Sequence, residues 1–125
     1  MEPSIYDLVV IGSGPAGQKG AICAAKLRKK VAIIDRKRSI GGVCVHTGTI
    51  PSKTLREAVI FLTGTGGPLD PRRRMRTEGR PTVEQLLSRV EDVMTRERAV
   101  IEDQLQRNDI TLLQGEASFL DPHRL

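Results

Sequence analysis

The feature that most constrains this chain is a glycine-rich turn between a predicted strand and a predicted helix. The apolar run Tyr6–Ile11 predicts a buried strand, and Gly12-Ser13-Gly14-Pro15-Ala16-Gly17 follows it in the pattern G-x-G-x-x-G. A helix is predicted over Pro15–Lys29. The second strand, Val31–Ile34, lacks alternation and is therefore expected to be covered on both faces. Strand, helix and strand in so short a span indicate a parallel, right-handed βαβ unit.

Each glycine of this turn suits the binding of a pyrophosphate. Gly12 permits the tight turn out of the strand, Gly14 leaves room for a phosphate beside the backbone, and Gly17 lets the helix pack closely on the strands. The phosphates would lie at a helix N-terminus, and no Asp or Glu occurs between Gly12 and Ile34 to repel them. Asp35, at the end of the second strand, is a residue type that accepts hydrogen bonds from an adenosine ribose. The alternative is a tight turn followed by a surface aspartate.

The middle of the chain predicts a loop, a helix and an irregular connection. Gly41–Gly48 predicts the loop, and Pro51 opens a helix that runs to about Thr63. Residues 65–80 predict a Gly/Pro/Arg-rich connection without periodicity. The basic cluster Arg72–Arg80 within it is expected to be solvated rather than to bind a phosphate or a partner.

The last part of the chain predicts one long helix and two strands. Thr82 and Gln85 form a capping box at the start of the helix, which ends at Asn108 and Asp109. Its apolar face carries Val83, Leu86, Leu87, Val90, Met94, Ile101 and Leu105. Strands are predicted at Ile110–Leu113 and at Ala117–Leu120. The expected fold class is α/β, a Rossmann-like parallel sheet with flanking helices, and the chain is expected to be the opening portion of a larger enzyme.

Composition excludes several other classes of protein. The 125 residues are 38% hydrophobic and 28% charged, as in an ordinary soluble domain. No apolar run is long enough to cross a bilayer, and no secretory leader is present, so we expect a cytoplasmic protein without membrane contact. The two cysteines cannot build a disulfide framework. The net charge of +5 is not accompanied by aromatic-studded basic strands or zinc-ligand spacing, so neither nucleic-acid binding nor a metal site is expected.

A second motif identifies the dinucleotide. The segment from Gly41 to Lys53 reads G-G-V-C-V-H-T-G-T-I-P-S-K. It closely resembles the active-site segment G-G-x-C-x-x-x-G-C-I-P-S-K of the pyridine nucleotide–disulphide oxidoreductases, which bind FAD. The Pro-Ala pair of the first turn and the segment Gly115-Glu116-Ala117-Ser118-Phe119 are also similar to that family. The resemblance covers the chain from Tyr6 onward and implies that residues 1–125 are the N-terminal part of an FAD-binding Rossmann domain.

The sequence departs from the family pattern at Thr49, which stands where the family has its second redox cysteine. Threonine cannot form a disulfide, so Cys44 has no partner at that position. This change resembles the transhydrogenase branch of the family, which passes a hydride between NADPH and NAD through the flavin without a dithiol relay. Two alternatives remain: a flavin-dependent reductase with another acceptor such as a quinone, and a non-catalytic nucleotide-binding module.

The resemblance assigns roles to individual residues. The FAD pyrophosphate would be held by Gly12, Ser13, Gly14, Pro15, Ala16 and Gly17. The adenosine would meet Asp35, Arg36, Lys37 and the backbone of Ala117, although the family usually has Glu where Asp35 stands. Gly41, Gly42, Val43 and Cys44 would line the cofactor from pyrophosphate to flavin, with Cys44 expected to be a packing thiol rather than a redox group. Lys53 would point at the isoalloxazine ring as a catalytic residue.

The resemblance also implies what lies beyond these residues. The complete enzyme would use FAD and NAD(P), take nicotinamide nucleotides as its small-molecule partners and form a homodimer. The 125-residue chain contains one glycine-rich dinucleotide turn, and the family has a second one in its NAD(P)-binding domain. We therefore expect this chain on its own to be inactive.

Overall fold

The computed structural model describes residues 4–63 and 82–125. The predicted connection at 65–80, including Arg72–Arg80, lies outside the described residues. The chain divides into two units, which are described separately below. One lies within Met1–Gly42 and Arg98–Leu125, and the other lies within Val43–Glu97.

The first unit is built on a three-stranded parallel sheet. Its strands are β1 (Leu8–Ile11), β2 (Val31–Asp35) and β3 (Thr111–Gln114), in the order β1-β2-β3. Leu8 lies opposite Val31 in the first ladder, and Ala32 lies opposite Thr111 in the second. Both strand pairs, β1 with β2 and β2 with β3, are parallel, and helices lie between the paired strands in the sequence. This is the arrangement expected from the βαβ pattern, so the prediction of an α/β fold is confirmed.

The two predicted strands differ in burial. Val31, Ala32 and Ile33 of β2 are at most 1% exposed, which confirms that this strand is covered on both faces. The prediction of a buried strand over Tyr6–Ile11 is wrong in two respects. The strand begins at Leu8, and Leu8 and Ile11 are 36% and 53% exposed. Among the described strands β1 pairs along one side only, so its side chains have fewer neighbours than those of β2.

Helix α1 (Pro15–Lys26) joins β1 to β2 and ends earlier than predicted. Its last turn is closed by Arg28, which adopts the left-handed conformation at φ 60°, so the chain turns toward β2 before Lys29. Ala21 is fully buried. An alanine-rich helix predicts that Cys23 is a small core residue, but Cys23 is exposed, because it lies on the face of α1 opposite the buried Ala21.

The long helix α4 (Val83–Gln106) begins with the predicted capping box. Thr82 donates its backbone N–H to Oε1 of Gln85 over 3.0 Å, and the backbone N–H of Gln85 donates to Oγ1 of Thr82 over 3.3 Å. In the first unit, Ile101 and Leu105 of α4 are buried, and Asp109 at φ 53° ends the helical segment. The predicted apolar face is therefore only partly a core face.

The difference between the predicted apolar face of α4 and the residues that are buried is clearest at the start of the helix, in the second unit. Val83 and Leu87 are 64% and 56% exposed, although both fall on the predicted face. Helical periodicity shows which residues share a face but not whether another element covers it.

The predicted strand Ala117–Leu120 is absent from the described residues. After β3 the backbone N–H of Gly115 still bonds to the carbonyl of Asp35, but the chain then leaves the ladder. Leu120 instead begins a turn closed by the bridge between Asp121 and Arg124. Pro122 inside that turn has no N–H to offer a neighbouring strand, which disfavours a continuing ladder.

A short helix lies where a loop was predicted, and the helix predicted after it is present. Helix α2 (Gly42–His46) occupies most of the predicted loop Gly41–Gly48, and α3 (Thr49–Thr63) begins two residues before Pro51. The carbonyl of Gly48 accepts the backbone N–H and the hydroxyl of Ser52, which extends the helix backward to Thr49. Pro51 is accommodated because the first turn of a helix needs no N–H from it.

Candidate cofactor site

The glycine-rich turn forms at the carboxyl end of β1. Gly12 lies at φ +97°, a conformation that side chains disfavour, and its N–H donates to the carbonyl of Ile34 over 2.7 Å. Gly14 is the N-cap of α1 and Pro15 its first residue. Within the described chain, no side chain caps this helix end and its first turn carries no acid. The N-terminal N–H groups of α1 are thus available to an anion.

Two glycines, Gly17 and Gly42, allow the backbone segments around this turn to lie close together. A Cβ on Gly17 would overlap the carbonyl oxygen of Gly12 and lie 2.9 Å from Cγ1 of Val10, so the absence of a side chain is what lets α1 approach β1. A Cβ on Gly42, which lies at φ +63°, would be 2.9 Å from Cα of Gly14. A Cβ on Gly14 would meet no atom of the described chain within 4 Å. The space beside Gly14 is therefore open, while the backbone around it is tightly packed.

Ser13 is fully buried at the centre of this arrangement. Its hydroxyl donates to Oδ2 of Asp35 over 2.5 Å, and its backbone N–H donates to the same oxygen over 2.9 Å. The hydroxyl also accepts the backbone N–H of Gly41 over 3.1 Å. The side chain of Gln18, itself 7% exposed, donates to the carbonyl of Ser13 over 2.6 Å. Sequence reasoning placed Ser13 in the turn but missed this network.

The carboxylate of Asp35 is therefore closer to the turn than the sequence suggested. No acid lies between Gly12 and Ile34 in the chain, yet the fold brings Oδ2 of Asp35 to the backbone of Ser13. Desolvation by burial raises the pKa of Asp35. Hydrogen bonds from the Ser13 hydroxyl and from the backbone N–H groups of Lys37 and Ser13, together with the charge of Arg36, lower it further than burial raises it. The net result is a pKa below the ordinary value, so Asp35 is ionised at neutral pH.

A pocket of about 260 Å³ opens at the carboxyl ends of the strands in the first unit. It is lined by Ile11, Gly12, Ile34, Asp35, Arg36, Gly115, Glu116 and Ala117. Ligands of open parallel sheets bind at this edge. The pocket brings together four of the residues singled out from the sequence: Gly12, Asp35, Arg36 and Ala117. Glu116 was not singled out, and only its place beside Ala117 in the family-like segment pointed to it.

Lys37 is a different case. It does not line this pocket, and its backbone N–H instead donates to Oδ1 of Asp35 over 2.9 Å. In the described structure, the backbone of Lys37 thus holds the Asp35 carboxylate, and Lys37 does not contact the pocket.

The remaining candidate residues lie in the second unit. Val43 and Cys44 belong to α2, where Val43 is 73% exposed and Cys44 is half-buried. Thr49 is the first residue of α3, and Lys53 is exposed one turn later. The spacing of four residues puts Thr49 and Lys53 on the same side of the helix.

The described residues contain neither a metal-binding cluster nor a membrane-spanning helix. In residues 4–63 and 82–125 no group of three His, Cys, Asp or Glu side chains is placed to hold a metal ion. No helix in the same ranges is both long enough and apolar enough to span a membrane.

The parallel sheet, the glycine turn and the acid at the end of β2 define a Rossmann-like dinucleotide-binding domain. The chain belongs to the pyridine nucleotide-disulphide oxidoreductase family, whose sequence profile matches residues 6–124. It is 52% identical over 120 residues to a soluble pyridine nucleotide transhydrogenase of Mycobacterium tuberculosis, covering 96% of this chain and 26% of that protein. A soluble pyridine nucleotide transhydrogenase of Photobacterium profundum is 37% identical over 123 residues, covering 98% of this chain and 26% of that protein.

A solved structure has the same fold. It is the HOCl-induced flavoprotein disulfide reductase of Escherichia coli in its Cu(II) complex, with a TM-score of 0.73 and 26% identity. The match covers 95% of this chain and 23% of that one. The chain thus spans about a quarter of the length of these relatives.

Proposed function

We propose that residues 1–125 are the N-terminal part of the FAD-binding domain of an oxidoreductase that transfers a hydride between NADPH and NAD. The observation that carries the proposal is the glycine turn, with open space beside Gly14 and an ionised Asp35 at the end of β2. Thr49, in place of the second redox cysteine, supports the transhydrogenase reaction over disulfide reduction. The names of the similar proteins point the same way.

The residues around the turn fit a pyrophosphate. Gly14 leaves space for it, and Gly42 at φ +63° packs its backbone against Gly14 without filling that space. The N-terminus of α1 supplies N–H groups and the positive end of the helix dipole. Pro15 and Ala16 bring no charge to oppose a phosphate. The carboxylate of Asp35 is a negative group close to the turn, and two hydrogen bonds from Ser13 hold its Oδ2 atom.

The neighbouring pocket fits the adenosine half of the same cofactor. Asp35 lines the pocket as an acceptor for a ribose hydroxyl, and Arg36 brings a positive charge to the same lining. The segment from Gly115 to Ala117 also lines the pocket, and the backbone of Ala117 would meet the adenine. Lys37 acts through Asp35, because its N–H holds Oδ1 of that residue.

The proposed contacts to the flavin come from the second motif, Gly41 to Lys53. Bound FAD would supply the chemistry of accepting a hydride from one nicotinamide and returning it to another. Gly41, Gly42 and Val43 would line the approach to the ring, and Cys44 would pack against it. Lys53 would provide a fixed positive charge beside the ring, which favours negative charge developing there.

The cofactor assignment is tested by Gly14→Leu in the complete gene product. A Cβ at this position meets no atom of the described chain within 4 Å, and the rest of a leucine side chain would enter the space assigned to the pyrophosphate. We expect the variant to fold and to lose bound FAD. Gly20→Leu is the matched control, because Gly20 lies in the same helix with no atom within 4 Å of its Cβ and should keep its flavin. Equal flavin content in both variants would refute the assignment.

The reaction is tested by measuring NAD reduction by NADPH with the complete gene product. We expect Cys44→Ser to retain most of the activity and Lys53→Met to lower it markedly, because only Lys53 is assigned a role in the chemistry. No lipoamide or glutathione-disulfide reductase activity is expected. Reduction of a quinone but not of NAD would favour a reductase of the same family, and a protein without flavin would favour a non-catalytic nucleotide-binding module.

We further propose that the complete protein is a homodimer, as the family resemblance implies, and that it is cytoplasmic, as its sequence composition predicts. The 125-residue chain alone should have no transhydrogenase activity, since it contains a single glycine-rich dinucleotide turn. Hydride transfer by the purified chain would contradict this.

A further inference from the structure

We propose that Ser13 is a positioning residue that occupies Oδ2 of Asp35 and leaves Oδ1 as the atom that accepts a ribose hydroxyl. The proposal rests on the proposed FAD site and concerns how that site recognises the ribose. It gives Ser13 a role distinct from that of the glycines around it, which provide space rather than hydrogen bonds.

The hydrogen bonds within the described residues account for the polar atoms of Ser13. The backbone N–H and the hydroxyl both donate to Oδ2 of Asp35. The hydroxyl oxygen accepts the N–H of Gly41, and the carbonyl accepts the side-chain amide of Gln18. Because Ser13 is 0% exposed, these bonds are made away from water and have a defined direction.

The same hydrogen bonds determine which acceptor sites of the Asp35 carboxylate are occupied. An ionised carboxylate has about two acceptor sites on each oxygen. Both sites of Oδ2 are used by Ser13, whereas Oδ1 accepts only the N–H of Lys37 within the described residues. One acceptor site on Oδ1 is therefore left, on a residue that lines the pocket. Asp35 can then accept a hydrogen bond from one hydroxyl of the ribose, not one from each of the two.

The arrangement also joins three backbone segments. Ser13 lies in the turn after β1, Asp35 at the end of β2, and Gly41 directly before the glycine that packs on Gly14. Gln18, from the second turn of α1, holds the carbonyl of Ser13 and so fixes the peptide that carries the next N–H of the turn. A change at residue 13 is thus expected to affect Asp35 and, through the N–H of Gly41, the backbone that packs on Gly14. The part that acts through Asp35 is the part that disappears in the Asp35→Asn background.

The first test uses the unaltered complete gene product, with its flavin removed, and competition between FAD and the probes ADP, 2′-deoxy-ADP and 3′-deoxy-ADP. Loss of a hydrogen bond to a charged acceptor weakens binding by roughly tenfold or more. We expect one deoxy probe to bind about tenfold more weakly than ADP and the other to bind about as well as ADP. Equal weakening of both probes would overturn the proposal, because it would mean that both hydroxyls are held.

The second test is a double-mutant cycle on the affinity for FAD, with Ser13→Ala, Asp35→Asn and the double variant. If Ser13 acts through Asp35, Ser13→Ala weakens FAD binding in the parent and adds little in the Asp35→Asn background. Ser13→Ala should also reduce the difference between the two deoxy probes, a change that general loosening of the fold would not produce. Ser88→Ala, at an exposed position in α4, is the control and should leave all affinities unchanged.

The outcomes separate this proposal from the proposed function. A complete gene product that binds neither FAD nor ADP would refute the cofactor site, and this proposal with it. Normal FAD binding combined with additive effects of Ser13→Ala and Asp35→Asn would refute the role of Ser13 alone.

Discussion

Gly17→Ala adds a single methyl group at the point where α1 meets β1. The new Cβ would overlap the carbonyl oxygen of Gly12 and lie 2.9 Å from Cγ1 of Val10. The oxygen belongs to the backbone of the turn and cannot move away as a flexible side chain would. Either α1 must shift from the sheet or the turn must distort.

The size of the effect follows from two opposing terms. Overpacking of a tightly packed site costs about 1–3 kcal/mol, and contact with a backbone atom favours the upper end of that range. Replacing Gly by Ala inside a helix gains about 1 kcal/mol. The net expectation is a fall of about 2 kcal/mol in the free energy of unfolding. Gly20→Ala meets nothing within 4 Å, so it should show only the gain, about 1 kcal/mol.

Urea unfolding of the 125-residue chain, followed by circular dichroism, measures both variants against the parent. The two substitutions are chemically identical and lie in the same helix, so their difference, about 3 kcal/mol, isolates the contact with Gly12 and Val10. A Gly17→Ala variant as stable as Gly20→Ala would refute the close packing of α1 on β1. In the complete gene product, Gly17→Ala should also lower the FAD content, because the turn itself is displaced.

Three further predictions concern other parts of the chain. Thr82→Ala should lower the free energy of unfolding by about 1 kcal/mol through loss of the capping box, whereas Ser88→Ala in the same helix should not. The folded-state pKa of Asp35 lies below its ordinary 3.8, so its ionised form stabilises the fold above that pH and the benefit is lost as the pH falls through the lower folded value. The stability difference between the parent and Asp35→Asn, measured by urea unfolding, should therefore shrink on acidification through this window, and a difference that does not change with pH would contradict it. Exposed Cys23 should react with a disulfide reagent faster than half-buried Cys44, so Cys23→Ser should remove the fast phase of labelling.

The parts of the fold that the sequence predicted well are those set by local chemistry. The G-x-G-x-x-G turn, the apolar run of β2 and the Thr82–Gln85 capping box each depend on residues close in the chain, and each is present. Burial was predicted less well. Ile11 and Leu87 have the right periodicity but are exposed, because burial depends on which other elements cover a face.

The candidate site shows the same limit. The sequence pointed to Gly12, Asp35 and Ala117, and all three line one pocket. The buried network of Ser13 was not predicted, because its partners are Asp35 and Gly41, far along the chain, and only the parallel pairing of β1 with β2 brings them together. A hydroxyl residue between the first two glycines, with an acid at the end of the next strand, is the one pattern that pointed to it.

The flavin of the complete protein is proposed to work without a cysteine pair, because Thr49 stands where the second cysteine would be. Anaerobic titration of the purified complete gene product with NADPH, followed by absorbance, tests it most directly. We predict an endpoint of two electrons per FAD, with no long-wavelength band from charge transfer between a thiolate and the flavin. An endpoint of four electrons per FAD, accompanied by that band, would show that a second redox centre of paired cysteines exists and would contradict the account.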